Sequence, residues 1–229
     1  MEFSTPMKNT ILFLTVLQLL ITAQPAFAQF GVAWRRSPTV VVIGDDSDIR
    51  QKMVEKALAF WNKTLEAQGT SFRLGPIVKV NETVPEQELA ALSDMVVGRA
   101  GRTVNAPAIF SETMAANSGD ILIYLGNTPF VSFAGPFGPA SKRVVGIRTM
   151  SVPPLSLPNV AQNVITHELG HSIGVGHNAD ASSLMCGRPS SCRPDAFMSS
   201  EEKLFPLTEI EYGQLQNMYP STWKAIDQK

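Results

Sequence analysis

Hydrophobic and polar positions fall into distinct rhythms along this chain, and each rhythm predicts an element. Thr39 to Ile43 (TVVVI) is β-branched and uninterrupted, the pattern of a strand buried on both faces. From Ile49 to Glu66, Met53, Ala57, Phe60 and Trp61 recur at helical spacing and predict a long helix turned inward on that row, with Gly69 beyond its end. Asp45, Asp46, Ser47 and Asp48 precede it and suit helix capping and dipole complementation; the glycine and distal glutamate of an EF-hand loop are not met. Ser71 to Leu74 and Ile77 to Val80 read as strand material broken by Gly75-Pro76. Pro85 to Val97 reads as a helix, with proline first and acids in its first turn. Gly98 to Asn117 is rich in small residues and has no period that places it. Asp120 to Leu125 (DILIYL) is a strand, and Arg143 to Val152 is a strand candidate. Between them, Gly126 to Gly146 carries no acid and predicts a loop with a strand near Phe130–Ala134.

Pro153, Pro154 and Pro158 mark a break before a further helix, predicted to start with Asn159 as its cap. Ala161, Ile165 and Leu169 form its core-facing row, while Val164, His167 and His171 lie on another. Beyond residue 177 little regular structure is expected until a last helix. Thr208 caps that helix, Glu211 completes a capping box and Pro220 closes it. There is no internal repeat and no low-complexity linker.

Composition narrows the class. The 229 residues are 44% hydrophobic and 17% charged, enough for one sizeable core, and a net charge of -1 argues against nucleic-acid or polybasic membrane partners. Residues 1–28 differ from the rest: Lys8 precedes an apolar run, Ile11 to Ile21, followed by Pro25 and Ala26-Phe27-Ala28. This is the pattern of a secretory signal peptide cleaved after Ala28, with Met7 an alternative start. A membrane anchor is the rival, but the run is short of the roughly 18 residues needed to span. Export would place the mature chain outside the cell or in a periplasm, with no membrane association after cleavage. In such a compartment Cys186 and Cys192, in CGRPSSC, are expected to form a small-loop disulfide; a soft zinc-ligand role is the alternative.

All three histidines of the chain lie in one stretch, His167 to His177 (HELGHSIGVGH). Residues four apart share a helical face, so His167 and His171 can grip one zinc ion, and Glu168 can act as general base toward water on that metal. Gly174 permits a sharp exit from the helix, and His177 returns as a third ligand. Three protein ligands with one open position is the pattern of a catalytic zinc.

His167, Glu168, His171, Gly174 and His177, followed by Met185 in SSLMC, resemble the metzincin zinc peptidases, in which a methionine in a tight turn lies beneath the metal. Residues 38 to 220 look most like the matrixin branch, with Phe60-Trp61-Asn62 in the long helix and LTEIEYGQLQNMYP at the end. The resemblance implies an α+β fold: a mixed twisted sheet, a long helix, a zinc-site helix, and a small irregular C-terminal subdomain ending in a helix. Residues 29–229 would be one catalytic domain, divided near residue 174 into an N-terminal subdomain and a C-terminal subdomain, 175–229. It further implies one catalytic Zn2+. No histidine remains for the structural zinc usual in matrixins, calcium is left open, and no cysteine precedes the site to hold it latent. The Cys186–Cys192 loop falls where the family shapes the pocket for the residue after the scissile bond. Either 130–134 or 143–150 would supply the edge strand that binds substrate.

The function expected is therefore a secreted zinc endopeptidase acting on protein or peptide substrates, as a monomer. Two rivals keep the metal: a zinc amidase or short-peptide peptidase, and a non-catalytic exported protein that holds zinc to bind a partner or stabilise itself. Glu168 speaks against the last, because a purely structural site has no use for that carboxylate.

Overall fold

The computed structural model describes residues 33–98, 114, 116–136, 142–187, 192 and 202–226. Residues 1–28, with their signal-like pattern, and most of Gly98–Asn117 lie outside the described residues. Among the described residues nine elements follow in order: β1 (Val40–Ile43), α1 (Arg50–Ala67), β2 (Ile77–Val80), α2 (Glu86–Val96), β3 (Ile121–Leu125), β4 (Phe133–Pro136), β5 (Arg143–Ile147), α3 (Pro158–Ser172) and α4 (Glu209–Met218). Among the described residues, no helix is long and apolar enough to cross a membrane.

The strands form one five-stranded sheet in the order β2-β1-β3-β5-β4. β1 pairs in parallel with β2 and β3, β3 pairs in parallel with β5, and only β4 runs antiparallel, with Phe133 opposite Gly146. Helices cover both faces, which is why β1, β3 and β5 are buried along their whole length and are apolar apart from Arg143 and the Tyr124 hydroxyl. On one face Val40, Val42, Ile121, Ile123, Leu125, Val145 and Ile147 pack with α1 and α3. On the other, Val41, Ile43, Leu122, Tyr124 and Val144 pack with Leu89 and Leu92 of α2 and with Phe130 and Phe133. The expected mixed sheet is therefore present but mostly parallel and layered, closer to an α/β arrangement than to one with segregated helices. β5 is flanked on both sides, and β4 is the edge strand next to it.

Several expectations need correction. Ser71–Leu74 is not a strand. Asn62 takes over the role of a neighbouring strand there, accepting from Leu74 N at 2.8 Å and donating to Leu74 O at 2.9 Å. The strand expected near 130–134 lies at Phe133–Pro136, and the one expected to reach residue 152 ends at Ile147. Pro85 is the N-cap of α2 and not its first residue. Asn159 does not cap α3: Leu157 is the N-cap, Pro158 opens the helix, and the Asn159 carboxamide accepts from Lys203 N at 2.9 Å. Of the acids before α1, Asp45 receives Ser47 N and Asp48 receives Arg50 N, while the cap itself is Ile49. At α4 both halves of the Thr208–Glu211 capping box are present.

Two contacts fix α3 against α1: Trp61 Nε1 donates to Thr166 O at 2.8 Å, and Gln162 Nε2 donates to Met53 O at 2.9 Å. Ala161, Ile165 and Leu169 face the core as expected. The ends of β3 and β5 are gathered by Arg50, whose buried guanidinium donates to the carbonyls of Gly126 (2.8 Å), Ile147 (3.1 Å) and Arg148 (2.8 Å) and pairs with Asp48 at 2.5 Å. Replacing it strands the buried Gly126 carbonyl and leaves Asp48 without its partner, while Ile147 O keeps its bond from Gly126 N. Arg50→Met should therefore cost about 3 kcal/mol of stability, read as a lower urea midpoint; an unchanged midpoint would mean that solvent reaches those groups.

Candidate metal centre

The C-terminal end of α3 is built to stop in one place. Gly174 has φ +95°, and the two hydrogen bonds of a Schellman motif follow, Val175 N to Gly170 O at 3.0 Å and Gly174 N to His171 O at 2.9 Å. A side chain at Gly174 would be strained by its backbone and would also strike Met218. Carbonyls that the turn leaves over are taken by two large side chains: Trp34 Nε1 donates to Ser172 O, and Tyr219 OH donates to Ile173 O, both at 2.9 Å.

This turn also orients the ligands. The Val175 carbonyl lies 2.7 Å from His171 Nδ1, and the Leu184 carbonyl lies 2.7 Å from His167 Nδ1. A carbonyl oxygen only accepts, so each Nδ1 carries the proton and each Nε2 presents a lone pair. The three Nε2 atoms converge: 3.0 Å between His167 and His171, 2.9 Å between His171 and His177, and 3.2 Å between His167 and His177. Four tetrahedral ligands on zinc stand about 3.3 Å apart. Bare lone pairs at this range repel unless a cation lies among them, so the chemistry of the donor set fits a metal ion. Among the described residues it is the only such cluster of metal-ligating groups.

Burial acts on every titratable group here. It lowers His167 to about 4, with the neighbouring His177 adding to the effect against the Leu184 hydrogen bond. His171 is pushed well down by burial and by the other two imidazoles, and His177 is lowered by burial. All three are thus neutral and ready to ligate at neutral pH. Glu168, buried beside His167, is raised by burial to about 8 in the ion-free protein; a divalent cation nearby favours its carboxylate form.

Met185 lies fully buried beneath the helix, close enough that a Cβ on Gly170 would come within 2.9 Å of its sulfur and 2.5 Å of Trp61. Cys186, bonded to Cys192, lines a cavity of about 190 Å³ together with Asn163, Val164, His167, Glu168, Ser183 and Leu184. A larger cleft, about 590 Å³, between the N-terminal ends of α1 and α3 contains none of the histidines.

Sequence reasoning brought together His167, Glu168, His171, Gly174, His177, Met185, Cys186 and Cys192, but missed what holds them. Gly187 lies against the His177 ring, where an added Cβ would fall 2.1 Å from a ring carbon. Asn178 bridges to the methionine turn, its N donating to Met185 O at 2.9 Å and its carbonyl accepting from Gly187 N at 3.2 Å. The only signal for Asn178 was its place directly after the third histidine; Gly187 had none.

No protein-family model matches this chain, and no curated protein matches it either. Among solved structures it is similar to archaemetzincin from Methanopyrus kandleri, at 16% identity and a TM-score of 0.45, over 80% of this chain and 96% of that one. The site's own geometry is what supports a functional reading.

Two outcomes follow from the packing and the burial. Gly187→Ala should displace the His177 ring and weaken metal binding at least tenfold, measured by competition with a chelator; unchanged affinity would show that the ring has room to move. Stability of the ion-free protein should peak near pH 6.5. Below that value the unfolded histidines take up protons that the folded ones, lowered from 6.5, refuse, so stability falls toward pH 4. Above it, unfolded Glu168 ionises freely from 4.5 while the folded carboxyl resists until about 8, so stability falls again. Urea midpoints across this range in chelator test it, and a profile still rising from pH 6.5 to 8 would contradict it.

Proposed function

We propose that this protein is an exported zinc-dependent endopeptidase of the metzincin type. The observation that carries the proposal is the convergence of His167, His171 and His177 on one point, with Glu168 buried beside them at a cavity. The three imidazoles would hold the ion. When bound, zinc makes water nucleophilic near neutral pH and stabilises negative charge on a carbonyl oxygen. Glu168 accepts the proton of the attacking water and passes it to the leaving amine, the role that its position next to the first ligand suits.

The substrate is a polypeptide. β4 is an edge strand that packs beside α3, so an extended peptide can add to it by main-chain pairing and pass over the histidines. Of the two segments expected from sequence, 143–150 is unsuited because β5 is paired on both sides. The cavity lined by Val164, Leu184 and Cys186 receives the side chain that follows the scissile bond, and the Cys186–Cys192 bridge stiffens its wall. Within metzincins, Phe60-Trp61-Asn62 in α1 and the LTEIEYGQLQNMYP segment that forms α4 favour the matrixin branch. Export is supported by the apolar run before Ala28 and by the disulfide, which suits an oxidising compartment.

The test uses protein from Gln29 onward beside its Glu168→Gln variant. Both should hold one zinc per chain, while the variant should lose casein cleavage by about 10²–10⁴-fold. A variant that cleaves as the parent does would remove Glu168 from the mechanism. Hydrolysis confined to short peptides would favour the narrower peptidase instead.

A further inference from the structure

His167 and His171 ride on α3, but His177 lies on a loop, more open to solvent than the other two although its ring is still partly desolvated, and belongs to no regular element. Something else has to hold it in place. The next residue, Asn178, is buried, and the described contacts use both its backbone and its side chain. Besides the backbone bonds to the methionine turn, its Oδ1 accepts from Asp180 N at 2.8 Å. Its Nδ2 donates to Ser183 Oγ at 2.5 Å and to Glu211 Oε1. Glu211 is 0% exposed, and its other oxygen accepts from Thr208 N and Thr208 Oγ1, both at 2.5 Å. One buried carboxylate therefore closes the cap of α4 and reaches the residue beside the third histidine.

A capping box needs only one oxygen of its glutamate and can sit in solvent, as such boxes commonly do. Burying this one completely is costly unless the remaining oxygen is satisfied, and Asn178 satisfies it. We propose that Glu211 and Asn178 are positioning residues for the metal centre: they tie the His177 loop to α4 and so set where the third imidazole stands. This rests on the zinc reading above and adds to it a link from the last helix to the ligand set.

The experiment compares the chain from Gln29 onward with Asn178→Ala and Leu215→Ala. Leu215 is a fully buried core residue of α4 that the Asn178–Glu211 contacts do not involve. Zinc affinity is measured by chelator competition, and the visible spectrum of the Co2+-substituted protein reports ligand geometry. Asn178→Ala should bind zinc at least tenfold more weakly, in the range typical for the partners of metal ligands, with altered cobalt bands. Leu215→Ala should lower Tm yet keep zinc affinity within about twofold and the parent spectrum, because the helix loses packing and not its tether. If Asn178→Ala does not fold, Asn178→Ser, too short to reach Glu211, should show the same loss. Parent-like affinity and spectrum in the Asn178 variant would overturn the proposal, and so would an equal loss in Leu215→Ala. A parent that binds no zinc would instead overturn the functional reading; a parent that binds zinc but cleaves nothing leaves this test intact, since neither readout needs turnover.

Discussion

Mutual repulsion among three imidazole nitrogens is the constraint on which the rest of this structure depends. Lone pairs 2.9 to 3.2 Å apart separate unless their rings are held from behind. The protein holds them with carbonyls. Leu184 O fixes His167, Val175 O fixes His171, and both carbonyls lie in turns whose own backbone bonds are satisfied. Each carbonyl also selects the tautomer, so the same contact that restrains a ring makes its inner nitrogen a ligand. These bonds are made within the protein and come from two separate turns.

That organisation is transmitted through α3 to the sheet. Trp61 and Gln162 lock the helix to α1, and Gly170 lets Trp61 and Met185 approach its backbone more closely than any side chain would permit. The helix ends beside the ligands, so the partial negative charge of its last carbonyls also favours a cation there. Trp34 and Tyr219 bond two of those carbonyls, and Phe72 stacks on Tyr219 with ring centroids 3.8 Å apart. Segments far apart in sequence thus meet at the helix end, and the site is continuous with the core.

What could be read from sequence was what depends on neighbours in the chain. β1 and β3 announced themselves by unbroken apolar runs, α4 by its capping box, and the ligands by helical spacing and a glycine. What could not be read depends on side chains distant in sequence. Ser71–Leu74 has strand composition, but Asn62 occupies its backbone. Arg50 reads as an ordinary helix residue, yet it binds the ends of two strands. Asn159 has the composition of a cap and is instead a bracket for the chain at Lys203. Glu211 was legible as half of a capping box and not as the partner of Asn178, because its second oxygen is used by a residue thirty-three positions away.

Burial at this site has opposite consequences for its two kinds of group, and the cation reconciles them. For the histidines, loss of water removes the competing proton and leaves neutral ligands. For Glu168 the same loss of water favours the neutral acid, a form that cannot take a proton from anything. A dication held by the histidines would reverse that preference without restoring water. The carboxylate would then carry the negative charge that a base requires. On the proposed reading, ligand set and base are therefore interdependent: buried Glu168 would be available as a proton acceptor only when the histidines hold an ion.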